Sequence, residues 1–250
     1  MVTTSTTIST EPAEPAPPAF PTDAAALDSS PALLRLLQLS SSLCPIGAFA
    51  YSQGLETAIE RGWVSSEAEL ARWLTGIGSH ALAQLDLPIL REAHAAALDA
   101  NDARLLSLAE RLLASREARE LAEQERQLGS SLASLLVTLG VAAAERFRGN
   151  PSASYVVCFA IGAVHFGLGT ELAMTGFCYA WCEQQVSAAS RLVPLGHMAT
   201  QRALSAVLAQ VPRWIARALE LPEARIGSST PGLAMSAAWH ETQYTRLFRS

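Results

Sequence analysis

The chain has 250 residues, of which 50% are hydrophobic and 16% are charged, and its formal net charge is −5. All 18 basic residues are arginines, which excludes mechanisms that need a Schiff-base lysine or the P-loop lysine that binds nucleotide phosphates. Acidic residues outnumber basic ones, and this balance is unfavourable for nucleic-acid binding because phosphate contacts need a basic surface.

Residues 1–30 are rich in Ser, Thr, Pro and Ala, and they predict a disordered leader because so little apolar surface cannot offset the entropy lost on ordering. The leader has no basic segment followed by an apolar stretch, so it does not resemble a secretory signal. The four cysteines lie further along in apolar segments, and we expect them to be reduced, buried thiols of a cytoplasmic protein.

From Pro31 onward apolar residues recur at helical spacing, which predicts an all-α fold. Ser66 and Glu69 form a capping box that opens one helix, and Pro88 suits the first turn of the next. No stretch alternates like a strand, and no internal repeat is present. The predicted helices cover 31–43, 66–82, segments that open at 86 and at 101, 115–139, 155–166, 170–192, 198–211 and 213–221.

In the helix at 115–139, leucines are predicted to face the core, and the opposite side is interpreted as a solvated charged surface. That charged side consists of Arg116, Glu117, Arg119, Glu120, Glu123 and Glu125.

Residues 155–181 form a long apolar stretch that could span about 30 Å of hydrocarbon. His165, Glu171 and the glycine hinge at 167–169 divide it into two pieces of core-helix length, which favours a buried central helical hairpin over a membrane span. Gly162 and Gly176 would allow close helix packing there. The chain is therefore expected to have three parts: the leader at 1–30, a compact all-α domain at 31–226 and a C-terminal tail at 227–250.

The sequence contains no P-loop, no dinucleotide-binding glycine fingerprint after a strand and no Gly-x-Ser-x-Gly elbow. Cys178 and Cys182 are four residues apart, so they share a helix face and could supply two thiolates, and Cys158 with His165 is a comparable pair. A closed metal site needs about four ligands, so we interpret these side chains as packing residues.

Two segments differ from ordinary core and loop sequences. In residues 44–60, a Pro-Ile-Gly turn leads through Phe49 and Tyr51 into a short amphipathic helix, although local physics alone favours an ordinary helix–turn–helix connection. Residues 239–250 concentrate Trp, His, Tyr, Phe and two Arg, which are enriched at interface hot spots. Such a tail is predicted to dock onto its own domain or onto another protein, with Gly227, Pro231 and Gly232 as joints.

Three groups of residues, in this order, resemble the urease accessory protein UreF family. They are LLQL at 36–39 with PIGAFAYSQGLE at 45–56, then YAW at 179–181 with QVSAASRLVPLG at 185–196 and QR at 201–202, and finally GSSTPGL at 227–233 with HETQYTRLFRS at 240–250. The resemblance spans about residues 33–250, its tail motif is highly specific, and the leader lies outside it.

The resemblance implies an all-α accessory protein that is not an enzyme and that forms homodimers. Members of the family join the accessory protein UreD (also called UreH) and the GTPase UreG on apo-urease, and the complex delivers nickel to the active site. The resemblance implies that UreG binds and hydrolyses GTP, that this chain has no cofactor and that nickel passes through it only transiently. We expect a cytoplasmic scaffold that contacts neither nucleic acid nor membrane.

By the same resemblance, the tail would anchor UreD, residues 51–56 would shape an adjoining interface or a polar passage, and residues 191–202 would contribute to UreG recruitment. The residues assigned to partner binding are Tyr51, Ser52, Gln53, Gly54, Glu56, Arg191, Gln201, Arg202, His240, Glu241, Gln243, Tyr244, Arg246, Leu247, Phe248 and Arg249. The alternative is a metallochaperone that holds nickel itself, for which His240, Cys178 and Cys182 are the candidate ligands.

Overall fold

The computed structural model describes residues 31–250, so the predicted leader at 1–30 lies outside the described residues. The described part of the chain is helical and contains no strand, which confirms the all-α prediction. Its α-helices are α1 (Pro31–Ser40), α2 (Leu55–Glu60), α3 (Glu67–Ile77), α4 (Leu87–Leu98), α5 (Asp102–Ala114), α6 (Arg119–Thr138), α7 (Tyr155–His165), α8 (Thr170–Leu192), α9 (His197–Leu208), α10 (Val211–Glu220) and α11 (Pro231–His240). Short 3₁₀-helical segments occur at Ala48–Ala50, Ala142–Phe147 and Glu223–Arg225.

Two predicted helix starts are confirmed by the hydrogen bonds that cap them. The Ser66 hydroxyl accepts a hydrogen bond from the N–H of Glu69 at 3.3 Å, and the Asn101 side chain accepts one from the N–H of Arg104 at 3.0 Å. The Glu69 carboxylate in turn accepts from the N–H of Ser65 at 2.9 Å, so the capping box at the start of α3 closes one residue earlier than its usual form.

The helical run from α3 to α4 continues through the region near residue 86, where a new helical start was expected. A π-helix at Gly78–Asp86 joins the two α-helices, and Pro88 then occupies the first turn of α4. Single π-helical insertions are common next to functional sites. Here the π-helix ends on Asp86, a buried carboxylate that belongs to the site described below.

The predicted central hairpin is formed by α7 and α8. Residues 156–163 of α7 are all buried, and α7 packs against α4, α5, α6 and α8. Gly176 of α8 lets α1 approach closely, since a Cβ atom there would lie 2.3 Å from Cδ1 of Leu36. Within residues 31–250, every helix is too short or too polar to cross a membrane.

The tail begins with a helix that the sequence did not predict. Pro231 is the first residue of α11, where its missing N–H removes no helical hydrogen bond. The helix packs against α2 and α6 and buries Leu233 and Ala237. Its last residue, His240, is thereby carried into the interior, and residues 241–250, the C-terminal segment, follow it along the surface of the domain.

Candidate functional site

The C-terminal segment docks on the first of the unusual sequence segments, and α2 supplies its main anchor. The two carboxylate oxygens of Glu56 accept hydrogen bonds from the N–H groups of Leu247 and Phe248 at 2.7 and 3.0 Å. Glu56 lies in the first turn of α2. This helix begins directly after Gly54, whose φ of 74° is a left-handed conformation that favours glycine. A Cβ atom on Gly54 would lie 2.4 Å from Oγ of Ser236, so this glycine also permits the contact between α2 and α11.

The end of the C-terminal segment is held by backbone hydrogen bonds from the loop that precedes α2. The N–H and hydroxyl of Ser52 donate to the backbone oxygen of Ser250 at 2.6 and 2.5 Å. The N–H of Arg249 donates to the carbonyl of Ala50 at 2.8 Å, and the hydroxyl of Ser250 donates to Gln124 of α6 at 2.9 Å. The tail therefore docks onto its own domain, which is one of the two outcomes that its composition predicted.

A buried histidine joins α11, α2 and α6 next to this anchor. The ring nitrogens of His240 lie 3.2 Å from Oε2 of Glu56 and 2.7 Å from Oε2 of Glu120, and the ring is fully buried. The guanidinium of Arg246 lies 3.0 Å from the other oxygen of Glu120. Both carboxylates are thus shared between the domain and the tail, and hydrogen bonds to charged groups of this kind contribute about 1.5–3 kcal/mol each.

The second resembling segment, in α8, reaches the same site through glutamine and arginine side chains. Gln53 adopts a φ of 53°, and its side-chain oxygen accepts hydrogen bonds from Nε1 of Trp181 at 2.7 Å and from Gln185 at 3.3 Å. Arg191 donates to the carbonyl of Phe49 at 3.2 Å, and its guanidinium lies 4.6 Å from the ring centroid of Phe248. These contacts hold α8 to both the loop and the tail.

The structure does not bring every predicted site residue together. Arg202, on α9, forms an ion pair with Glu67 of α3 at 2.7 Å, and Gln201 beside it is exposed. Neither residue has a hydrogen bond or ion pair with the docked tail among the described contacts. The predicted set therefore divides into a connected group around the tail and a separate patch at the start of α9.

The residues of the tail group divide into those buried against the domain and those that face solvent. Ser52, Glu56, His240 and Phe248 are buried and contact other parts of the same chain. Of the predicted residues in the C-terminal segment, Tyr244, Arg246, Leu247 and Arg249 face solvent, whereas Glu241 and Gln243 are half-buried. Tyr51 is buried and donates its hydroxyl to Gln127 at 2.6 Å.

A small cavity of about 50 Å³ lies beside this site, and its lining combines apolar side chains with several polar and charged ones. Gln53 lines it from the loop and Gln124 from α6, and both also hold the site described above. Tyr155 lines it from α7, and burial raises the pKa of its phenol.

The same cavity is bordered by a buried ion cluster of Asp86, Arg116 and Glu125. Arg116 lies 2.5 Å from Oδ1 of Asp86 and 2.6 Å from Oε2 of Glu125, whose second oxygen accepts hydrogen bonds from Ser154 and Val156 at 2.7 and 3.1 Å. Burial raises the pKa of Asp86 more than the charge of Arg116 lowers it. Burial alone would lower the pKa of Arg116, but the two carboxylates outweigh it and raise the pKa.

Arg116 and Glu125 were expected on the solvated face of the helix, and that prediction is wrong. Glu125 lies four residues after Leu121 and three before Leu128, so it shares their buried face of α6. Glu120 was assigned to the same solvated face, yet only 11% of its side chain is exposed because it binds His240 and Arg246. The spacing of Leu121 and Leu128 already indicates that Glu125 lies on the buried face of α6, but its charge led to the prediction of a solvated position.

The cysteines occupy apolar surroundings. All four cysteines are free, and Cys158, Cys178 and Cys182 are buried as expected, whereas Cys44 is half-buried. Burial raises the pKa of Cys182 to about 12. The described residues contain no group of three or more His, Cys, Asp and Glu side chains placed to hold a metal ion. The geometry therefore offers no observation in favour of a nickel site built from His240, Cys178 and Cys182.

Comparison with known proteins gives one consistent result. The family model described as UreF matches residues 64–208. The chain is 42% identical over 218 residues to the urease accessory protein UreF of Marinomonas sp. (strain MWYL1), with 87% of this chain and 94% of the relative covered. It is 44% identical over 223 residues to urease accessory protein UreF 2 of Brucella anthropi, with 88% and 98% covered, and 42% identical over 220 residues to the UreF of Chromohalobacter salexigens, with 88% and 95% covered.

The chain belongs to the urease accessory protein UreF family. The resemblance inferred from the three segments is thereby confirmed. Membership makes the chain a urease accessory protein, which works with other components of urease maturation.

Proposed function

We propose that this chain is a cytoplasmic, non-enzymatic scaffold that bridges the accessory protein UreD/UreH and the GTPase UreG on apo-urease. In this role it supports the GTP-dependent assembly of the nickel metallocentre. The partner GTPase binds and hydrolyses the nucleotide, and nickel is cargo that passes on to urease. The absence of lysine and of a P-loop in the sequence supports a division of labour in which another subunit holds GTP.

The observation that carries the proposal is the way the C-terminal segment is held. Its backbone is bound from inside by Glu56, Ala50 and Ser52, while the side chains of Tyr244 and Leu247 project into solvent. Aromatic, leucine and arginine side chains on this edge are suited to a protein partner, because the backbone that carries them is already ordered before binding. We assign this outer edge to UreD/UreH.

The patch at the start of α9 is the proposed contribution to UreG recruitment, together with Arg191. Arg202 is exposed and is held in a bidentate contact with Glu67, at 3.0 and 2.7 Å. The position of Arg202 away from the docked tail supports a separate UreG contact on α9, whereas Arg191, which stacks on Phe248, would place part of that contact beside the tail.

A homodimer is part of the same proposal. Leu34 and Leu37 of α1 lie one helical turn apart with 65% and 59% of their surfaces exposed, and Leu43 and Phe49 nearby on the chain are also exposed. Exposed apolar side chains of this kind are typical of protein interfaces. Light scattering on the purified chain measures the mass, and a monomer at micromolar concentration would contradict the dimer.

The test of the scaffold is co-purification of the chain with UreD/UreH and UreG. Deleting residues 241–250 should abolish recovery of UreD/UreH, and Leu247→Asp should weaken it about tenfold or more, because 56% of this leucine is exposed on the edge assigned to the partner. Leu98→Asp, which makes the same substitution at an exposed leucine at the end of α4 and outside the C-terminal segment, is the matched control and should leave recovery of UreD/UreH unchanged.

Far-UV circular dichroism and limited proteolysis should show that Leu247→Asp keeps the helices and the docked tail. Recovery of UreD/UreH by the deletion variant at the level of the parent chain would refute the assignment of the tail.

A further inference from the structure

Three tryptophans form a cluster between the docked tail and α3. Trp63, in the loop before α3, lies with its ring centroid 6.0 Å from that of Trp73 and 5.6 Å from that of Trp239. The guanidinium of Arg61 stacks on Trp239 at 3.7 Å from the ring centroid. We call Arg61, Trp63, Arg72, Trp73 and Trp239 the tryptophan face.

The tryptophan face is accessible to a partner. Trp63 is 39% exposed, Met235 of α11 is 46% exposed, and Arg61 and Arg72 both face solvent. An open groove of about 330 Å³ lies on the tail side, between Arg61 and Tyr244. A second groove, of about 390 Å³, lies on the other side of the cluster. Large apolar side chains beside concave surfaces mark interaction sites, and Trp, Met and Arg are the residue types enriched in them.

The charges of the face select a class of partner. Among the described residues, no carboxylate lies within ion-pair distance of Arg61, whose recorded contact is the stack on Trp239. Arg72 is 3.7 Å from Glu69, whose other oxygen is occupied by Ser65, and 76% of the Arg72 side chain is exposed. The second groove is lined by Arg72 and His80 and by no acidic residue. Arg61 thus has no carboxylate partner within residues 31–250, and Arg72 has one long, exposed contact to Glu69, so both guanidinium groups can bind further carboxylates.

We propose that the tryptophan face is a docking surface for an acidic segment of the protein partner that takes the tail. Carboxylates of that segment pair with Arg61 and Arg72, and its apolar side chains pack on Trp63 and Met235. The proposal rests on the proposed function, because Tyr244 belongs both to the exposed edge of the tail and to the lining of the first groove. One partner surface can therefore cover the tail edge and the tryptophan face without a gap.

A second copy of this chain fits the face less well. In a two-fold symmetric contact each patch meets itself, so the guanidinium groups of the two copies would face each other. Of the described residues that line the two grooves, Glu60 is the one acidic residue, so it could offset only part of that repulsion. An acidic partner has no such repulsion, and its association with the face should weaken as salt screens the ion pairs.

The test uses the full chain and purified UreD/UreH as the probe in a titration by biolayer interferometry. The double variant Arg61→Glu/Arg72→Glu should raise the Kd about tenfold or more, since it reverses two rim charges. The double variant Arg213→Glu/Arg217→Glu is the matched control, because these two arginines of α10 are exposed and lie outside both grooves. It should change the Kd less than threefold.

Two further measurements separate the possible failures. Trp63→Ala removes the apolar contact without changing the charge, and it should raise the Kd while circular dichroism and thermal unfolding confirm that the chain is folded. If the 241–250 deletion abolishes binding but the Arg61/Arg72 and Trp63 variants bind like the control, the tryptophan face is not a docking surface and the proposed function stands. If the Arg61/Arg72 variant instead changes the oligomeric mass measured by light scattering on the chain without its partner, the face is a self-interface and the proposal is overturned.

Discussion

Replacing Glu56 by glutamine should release the C-terminal segment while leaving the domain folded. The carboxylate of Glu56 accepts hydrogen bonds from two tail amides and faces the ring of His240. Glutamine keeps the shape but has one acceptor oxygen, so one of the two amides of Leu247 and Phe248 would face an NH₂ group instead of an oxygen. Glu56 is buried, with 7% of its surface exposed, so solvent cannot compensate for the loss.

The magnitude follows from the lost contacts. One hydrogen bond to a charged acceptor contributes about 1.5–3 kcal/mol, and the amide left without an acceptor adds a desolvation penalty. A total of about 3 kcal/mol corresponds to about a 100-fold change in the docking equilibrium. Hydrogen–deuterium exchange of a peptide covering residues 241–250 measures this change, because protection of its amides depends on docking. Protection should fall by about 100-fold or to the level of an unprotected chain.

The control for this prediction is Glu60→Gln, one helical turn further along α2. Glu60 is exposed and accepts no hydrogen bond from the tail among the described contacts, so exchange in 241–250 should not change. Equal protection of the segment in Glu56→Gln and in the parent chain would refute the conclusion that this carboxylate anchors the tail.

Two other substitutions test the packing around the site. Gly54→Ala should lower the free energy of unfolding by about 1–3 kcal/mol more than Gly62→Ala does. Both glycines have positive φ, but only on Gly54 would a Cβ atom collide with Ser236. Thermal unfolding should show the difference, and equal shifts of the two variants would contradict this reasoning. Arg116→Gln should lower the free energy of unfolding at pH 7 by about 3–5 kcal/mol, since it leaves two buried carboxylates without a cation. Burial already raises the pKa of Asp86, so the folded variant binds protons more readily than its unfolded chain. The difference in unfolding free energy between Arg116→Gln and the parent chain, measured by urea unfolding, should therefore be smaller at pH 5 than at pH 7. A difference that does not change with pH would contradict this explanation.

Helical spacing was sufficient to predict most of the fold. The apolar runs at 155–166 and 170–192 became α7 and α8 within one residue, and the cap at Ser66 is formed as predicted. The helix α11 was missed because its small and apolar residues at 231–240 carry no amphipathic pattern, and Gly232 and Pro231 indicated a turn. Its existence depends on packing against α2 and α6, which a local pattern does not contain.

The candidate site was predicted in part, for a similar reason. The composition of 239–250 indicated a docking segment, and the resemblance selected the loop at 51–56, but neither predicted that the two bind each other. Glu120 and Gln124 complete the site from α6, some 120 residues away from the tail along the chain. Long-range pairs of this kind follow from the tertiary fold, and a single sequence holds no record of them.

The distinction between residues that hold the tail and residues that face a partner determines how substitutions should affect binding. A partner that binds the docked edge loses affinity in proportion to the fraction of chains in which the tail is docked. Glu56→Gln therefore weakens partner binding by the factor by which it lowers the docked fraction, whereas Leu247→Asp acts on the contact directly while the tail stays in place. Comparing tail exchange with partner affinity in the same two variants separates the roles, because an interior anchor changes both quantities and an edge residue changes affinity alone.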